Sequence, residues 1–282
     1  TYEPVEGRFS QLEISDTHGG ESLSRHIFEK GDLVLADRGY ARTPGLLHVR
    51  EMGADFIMRI GWSTIRLLTP NGARLDWNAL YAGMQPGQIT EHEVLVDHSG
   101  RQRGASGDST FRARLIIRRK DEASSERARK AIWFDHRRKQ RVAAQPNPLT
   151  VASADFLLLL TSVPAREMSA DIAIATYRLR WQIELAFKRL KSGLRIDALP
   201  AHDRQLARSW LAAYLIIGLL MDEAVAERLA FPPCVAGNAR RTPITMANAE
   251  IPEERALGRN PWGAPPRPDR SKPRRRCQNP VR

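Results

Sequence analysis

The sequence predicts an α/β fold: a mixed sheet flanked by helices and interrupted by a mostly β insertion. Three observations lead there. Two short apolar runs, Leu33 to Ala36 and Phe156 to Leu160, read as strands buried on both faces. Toward the N-terminus, strand-like and helical patterns alternate as strand, helix, strand, helix, strand. Between residues 62 and 154 the pattern changes to successive strands separated by turn signals. A chain of 282 residues is long enough to bury a sizeable core.

The elements follow in order. Phe9 to Ser15 (FSQLEIS) alternates and reads as a strand. Glu21 to Lys30 reads as a short helix with Gly31 just past its end. The Leu33 to Ala36 strand stops at Asp37. Thr43 as N-cap and Pro44 at the first helical position start a helix that runs to Met52 and ends at Gly53. Asp55 to Ile60 is the next strand. Ser63 to Leu68 and Arg74 to Trp77 flank Asn71-Gly72, a hairpin signal. Glu91 to Val96 and Phe111 to Arg118 are further strands, and Asp121 to Arg141 is a charged helix. Ser169 to Lys191 reads as one long helix that starts near Ser169 or Ala170, with Gly193 beyond it. A second runs from about His202 to Ala230. Its Trp210 to Met221 stretch is too short to span a membrane and reads as buried. The expected organisation is a core in two parts, 1–61 and 155–230, a β insertion at 62–154, and a tail at 231–282.

The tail reads as disordered: it holds ten of the eighteen prolines and the run SKPRRR. The net charge of +12 suits a polyanionic partner such as nucleic acid. Its location qualifies that reading. Residues 231–282 carry ten Arg and one Lys against Asp269 and three Glu, a net +7, so the remainder is only mildly basic. Several classes are disfavoured. The N-terminal residues show no apolar signal-peptide segment. Cys234 and Cys277 form neither a disulfide framework nor a CxxC metal site, and a reducing cytoplasm fits them. The seven histidines show no zinc-ligand spacing. Gly19-Gly20 reads as a turn and not as a nucleotide cradle.

The chemistry is concentrated in TYRLRWQIELAFKRLKSG, Thr176 to Gly193. At ~100° per residue, Tyr177, Arg180, Glu184 and Lys191 fall within a narrow stripe of roughly 60°. Trp181 and Lys188 lie beside it, and Leu179, Ile183, Ala186 and Leu190 occupy the opposite side, which can face a core. A solvated face with a Glu184–Lys188 pair is the plain reading of such a stripe. The alternative is a metal-binding Glu flanked by groups that hold phosphates, Arg bidentately and Lys as a point charge.

Tyr, two residues, Arg, three residues, Glu, six residues, Lys is the pattern of the insertion-sequence 4 type DDE transposases. Tyr177, Arg180, Glu184 and Lys191 match every position. LVLADRGY resembles the same family's second-acid motif, placing that acid at Asp37. The order, second Asp, β insertion, Glu helix, also agrees, and the resemblance covers about residues 9–225. It implies an RNase H-like fold. It implies that Asp37 and Glu184, with an earlier Asp, are catalytic and hold two Mg²⁺ (or Mn²⁺) ions. The reaction implied is phosphodiester hydrolysis and strand transfer at transposon ends.

The resemblance further implies DNA contacts by Tyr177, Arg180, Lys188 and Lys191. Trp181 is read either as core or as a base-stacking residue. The partners implied are transposon-end and target DNA and a homodimer when DNA-bound, in the cytoplasm at the nucleoid, with no membrane. In this family the first acid ends the first strand, and FSQLEIS resembles the third. The first acid is therefore expected to be absent from this chain. Asp16, in a turn-like SDTHGG context, is not taken for it. The alternatives are a truncated DNA-binding or inhibitory derivative without activity, a nuclease of the same fold, and a basic nucleic-acid-binding protein with an accidental motif.

Overall fold

The computed structural model describes residues 1–3, 8–11, 14, 21–98, 110–139, 145–194 and 203–229. A two-stranded ribbon comes first, β1 (Tyr2–Glu3) antiparallel to β2 (Arg8–Phe9). Then follow β3 (Leu33–Ala36), α1 (Thr43–Glu51), β4 (Asp55–Arg59), β5 (Leu67–Leu68), α2 (Trp77–Tyr81), β6 (Ile89–Asp97) and β7 (Thr110–Arg119). The chain continues through α3 (Glu122–Lys139), α4 (Pro148–Ala152), β8 (Phe156–Thr161), α5 (Ala170–Arg178), α6 (Trp181–Leu194) and α7 (Arg204–Leu229).

Six strands form one mixed sheet in the order β3-β4-β8-β7-β6-β5. The β3–β4 pair is parallel and every other pair is antiparallel. Because side chains alternate along a strand, the central strands feed two cores. Phe56, Met58, Leu115, Ile117, Leu158 and Leu160 enter the larger, which α1 covers with Leu46 and Val49. Ile57, Ile116 and Leu159 point the other way, under Ala170, Ala173, Ile174 and Tyr177 of α5. A mixed sheet with helices on both faces agrees with the expected α/β, RNase H-like class.

Several elements depart from expectation. Of the FSQLEIS stretch, Phe9 pairs with Tyr2 in the small ribbon and meets Phe187 of α6 edge-on at 5.3 Å, while Leu12, Glu13 and Ser15 lie outside the described residues. Asp16 and residues 231–282 lie outside the described residues. Glu21 to Lys30 holds only a single 3₁₀ turn, Leu23–Arg25, closed by extended His26. Leu23 and Phe28 are its buried residues, and five positions apart they would fall on different faces of a helix. β3 is an edge strand and Leu33 is exposed, so it is not buried on both faces. Asn71-Gly72 does form a turn, with Gly72 at φ 84°, but the pairing after it is one bridge, Leu68 to Arg74. Asp76 then caps α2 through Asn78 and Ala79. Of the strands between residues 62 and 154, β7 pairs with β8, which pairs with β4.

The long helix is broken in two. From Leu179 to Ile183 the backbone N–H groups bond three residues back, as Leu179 to Thr176, Arg180 to Tyr177, Gln182 to Leu179 and Ile183 to Arg180. This tightened turn redirects the chain. The two halves serve different surfaces: α5 packs on the sheet, while α6 packs against α7. Gly218 of α7 allows that approach, since a Cβ there would collide with Leu190 and touch Leu194. α7 is not buried as expected. It meets α6 and β2 along one side only, leaving Leu206, Ile216, Ile217, Leu220 and Met221 about half exposed. No helix of the described residues is long and apolar enough to cross a membrane.

Candidate functional site

β3 and β4 run parallel with Ala36 opposite Met58, so both strands end on the same side of the sheet. Asp37 follows one and Arg59 ends the other. Asp37 caps a 3₁₀ turn, Arg38–Tyr40, and its Oδ1 accepts from the Gly39 N–H at 2.8 Å. That bond fixes the carboxylate at the strand end. From across the sheet edge, α5 brings Tyr177 and the tightened turn brings Arg180. Ser169 caps α5, accepting from the Ile172 N–H.

Asp37, Arg38, Arg59, Tyr177 and Arg180 line one cavity of about 230 Å³. Three guanidinium groups outweigh one carboxylate there. The Tyr177 ring packs in the α5 core, so it does not belong to a solvent-facing stripe, and only its hydroxyl reaches toward the cavity. Among the described residues that Oη is buried without a hydrogen-bond partner, as is Nε of Arg180. Buried donors left unpaired cost about 1–3 kcal/mol each, so a site that keeps two favours an incoming acceptor. Burial raises the Tyr177 pKa against the pull of Arg180 and Arg59, so the phenol stays protonated and can donate. Burial opposes the charge on Arg180, but the bond to Glu184 holds its pKa above the usual value.

Glu184 lies one turn along α6. Its Oε1 accepts from Nη1 of Arg180 at 2.6 Å, the Glu side chain being 57% exposed. Arg180 thus joins two expected acids: its guanidinium holds Glu184, and it shares a cavity with Asp37. The remaining expected residues sit elsewhere. Trp181 is half exposed at the start of α6, which removes the core reading, and Lys188 and Lys191 are exposed farther along. None of these three lines the cavity. Two lining residues escaped sequence reasoning. Arg38 was visible beside Asp37 in the same motif, whereas Arg59 becomes visible only when two parallel strands are seen to end together.

For metal binding, Asp37 and Glu184 offer carboxylate oxygens, the donors hard divalent cations prefer. The donor type fits. Among the described residues no group of three His, Cys, Asp or Glu side chains converges as a metal site.

Sequence comparison bears directly on this site. The family model described as a transposase DDE domain matches residues 9–220, which include both acids. The chain belongs to the DDE transposase family. It is 36% identical over 241 residues to the putative transposase InsL for insertion sequence element IS186A of Escherichia coli K12, covering 85% of this chain and 64% of that protein. The transposase for insertion sequence element IS421 of Escherichia coli is also 36% identical, with 85% and 63% covered. The transposase for insertion sequence element IS231F of Bacillus thuringiensis subsp. israelensis is 25% identical over 217 residues, with 70% and 43% covered. The chain thus spans less than two thirds of the length of these relatives.

Proposed function

We propose that this chain carries the core of a DDE-type DNA transposase, a polynucleotidyl transferase that hydrolyses phosphodiester bonds at transposon ends and joins the freed strand to target DNA. One observation carries the reading: the cationic cavity beside Asp37, with the unpaired donors of Tyr177 and Arg180. A phosphate group supplies the acceptors these donors lack and the negative charge that Arg38, Arg59 and Arg180 favour. Tyr177 donates through its hydroxyl and Arg180 through Nε, while Nη1 of Arg180 keeps Glu184 beside the phosphate. Lys188 and Lys191 extend the cationic path along α6, and Trp181 offers a ring on which a base can stack. Asp37 and Glu184 would hold the divalent ions, Mg²⁺ or Mn²⁺. Such ions, when bound, activate the attacking oxygen and stabilise the leaving one. The expected partners are transposon-end and target DNA with a second copy of the chain when bound, and the expected location is the nucleoid.

A second reading is a DNA-binding or inhibitory derivative without activity. One experiment addresses both: the purified chain with labelled duplex DNA, with and without Mg²⁺, beside Asp37→Asn, Glu184→Gln, Tyr177→Phe and Arg180→Ala. Mg²⁺-dependent nicking that either acid substitution abolishes would show that a further carboxylate completes the site in this chain. Binding without nicking supports the derivative. DNA affinity untouched by both Tyr177→Phe and Arg180→Ala would remove the cavity from either account.

A further inference from the structure

We propose that α3 is a second nucleic-acid surface, on which Phe134 stacks against an unpaired base while Arg127, Lys130, Arg137 and Arg138 take the flanking phosphates. The inference rests on the DNA-binding reading above, but concerns a helix outside the cavity. Positions 127, 130, 134 and 137 are spaced three, four and three residues apart, so they share one face of α3, with Arg138 one turn beyond Phe134. The opposite face holds the helix in place. Ser125 is buried there, and Arg129 binds both Asp155 and Glu122 at 2.5 Å. Lys120, just before α3, donates from Nζ to the Ala154 carbonyl at 2.7 Å. The outer face is therefore presented by an anchored element.

Phe134 is 68% exposed, among the most exposed large apolar side chains described. It is bracketed by cations before and after. Arg137 has no ion pair among the described residues, and Arg127 donates to the Ser124 hydroxyl at 3.0 Å. Lys130 and Arg138 meet Glu126 and Asp135 at 2.7 and 3.6 Å, in pairs between well-exposed side chains. Exposed pairs of this kind are weak, so a phosphate can displace the carboxylates. α3 as a whole carries six cations against three carboxylates. Charge complementarity selects a polyanion, and the exposed ring selects one with accessible flat bases. A cationic track with an aromatic platform is how single-stranded nucleic acid is bound without reading sequence.

The test uses the full 282-residue chain and a labelled oligodeoxythymidine, with a duplex and anionic phospholipid vesicles as comparison probes. Phe134→Ala should weaken oligodeoxythymidine binding by roughly tenfold, since a base–aromatic stack is worth about that much or more. Phe134→Tyr should restore it, and Phe134→Leu should not. The Arg127→Ala, Arg137→Ala double variant should lower the salt slope of single-strand binding by about 1.4, the share of two phosphates. Wild-type affinity and salt slope in all these variants would overturn the proposal while leaving the cavity reading intact. No DNA binding by the unsubstituted chain would overturn both. A Phe134 dependence confined to vesicles would overturn it in favour of a membrane surface.

Discussion

Arg180 uses one donor within the chain and leaves another open among the described residues. Nη1 holds Glu184, and Nε is buried without a partner beside Asp37 and Tyr177. The ion pair is partly exposed, and such pairs contribute only about 0–1 kcal/mol. Arg180→Ala should therefore move the melting point little. It should weaken binding to related and unrelated DNA by similar factors, because phosphate contacts carry no sequence information. A large drop in melting point with unchanged DNA affinity would make Arg180 a structural partner of Glu184 only.

Tyr81 offers a test of residue energetics away from the site. It stacks on Phe156 at 4.1 Å and its hydroxyl meets Ser153 at 3.0 Å, and burial pushes its pKa up to about 12. A raised pKa means that the folded state holds the proton more tightly. The resulting stability is present below the unfolded value of 10 and is lost as pH rises toward 12. After screening, the loss is roughly 1–2 kcal/mol. Tyr81→Phe should flatten this alkaline decline in urea titrations at pH 9, 10 and 11. An equal decline in both proteins would remove Tyr81 as its source.

At the scale of elements, much was legible because the local signals were strong. β4, β6, β7 and β8, and helices α1, α3 and α7, lie within a few residues of where periodicity and turn chemistry put them. What was hidden depended on neighbours. Nothing in TYRLRWQIELAFKRLKSG marks a break, since it contains no Pro and its only Gly is at position 193. The break arises because Ile174 and Tyr177 are claimed by the sheet, while Leu190 packs against Gly218 of α7. The tightened turn still leaves Arg180 and Glu184 on adjoining turns, where they pair at 2.6 Å. Gly218 carries a prediction here. Gly218→Val should destabilise the chain by about 1–3 kcal/mol through overpacking against Leu190, outweighing the helix propensity it gains. A thermal melt equal to or above that of the parent would show that α6 and α7 do not depend on this close approach.

At the scale of the whole molecule, the sequence suggests a core with a β insertion, and the hydrogen-bonded sheet runs from β3 to β5 through strands of both. Local pattern shows that a strand exists, but not which strand it will pair with, so this continuity could not be read in advance. β8 is the joint: Leu160 lies opposite Met58 of β4 on one side and Leu115 of β7 on the other, with its side chain fully buried. Leu160→Ala should cost about 2–5 kcal/mol through lost burial and a cavity. The distribution of that loss is the informative part. If the sheet unfolds as one cooperative unit, native-state hydrogen exchange of the β3–β4 amides and the β6–β7 amides should lose protection by the same amount. Such equality is expected when both sets exchange through the same opening. If residues 62–154 instead fold as an insertion of their own, Val96→Ala in β6 should lower protection in β6 and β7 only. Protection of β4 amides would then stay at its parent value, and a position so close to Asp37 and Arg59 would be insulated from changes in the insertion. The shared ladder through β8 predicts the coupled result.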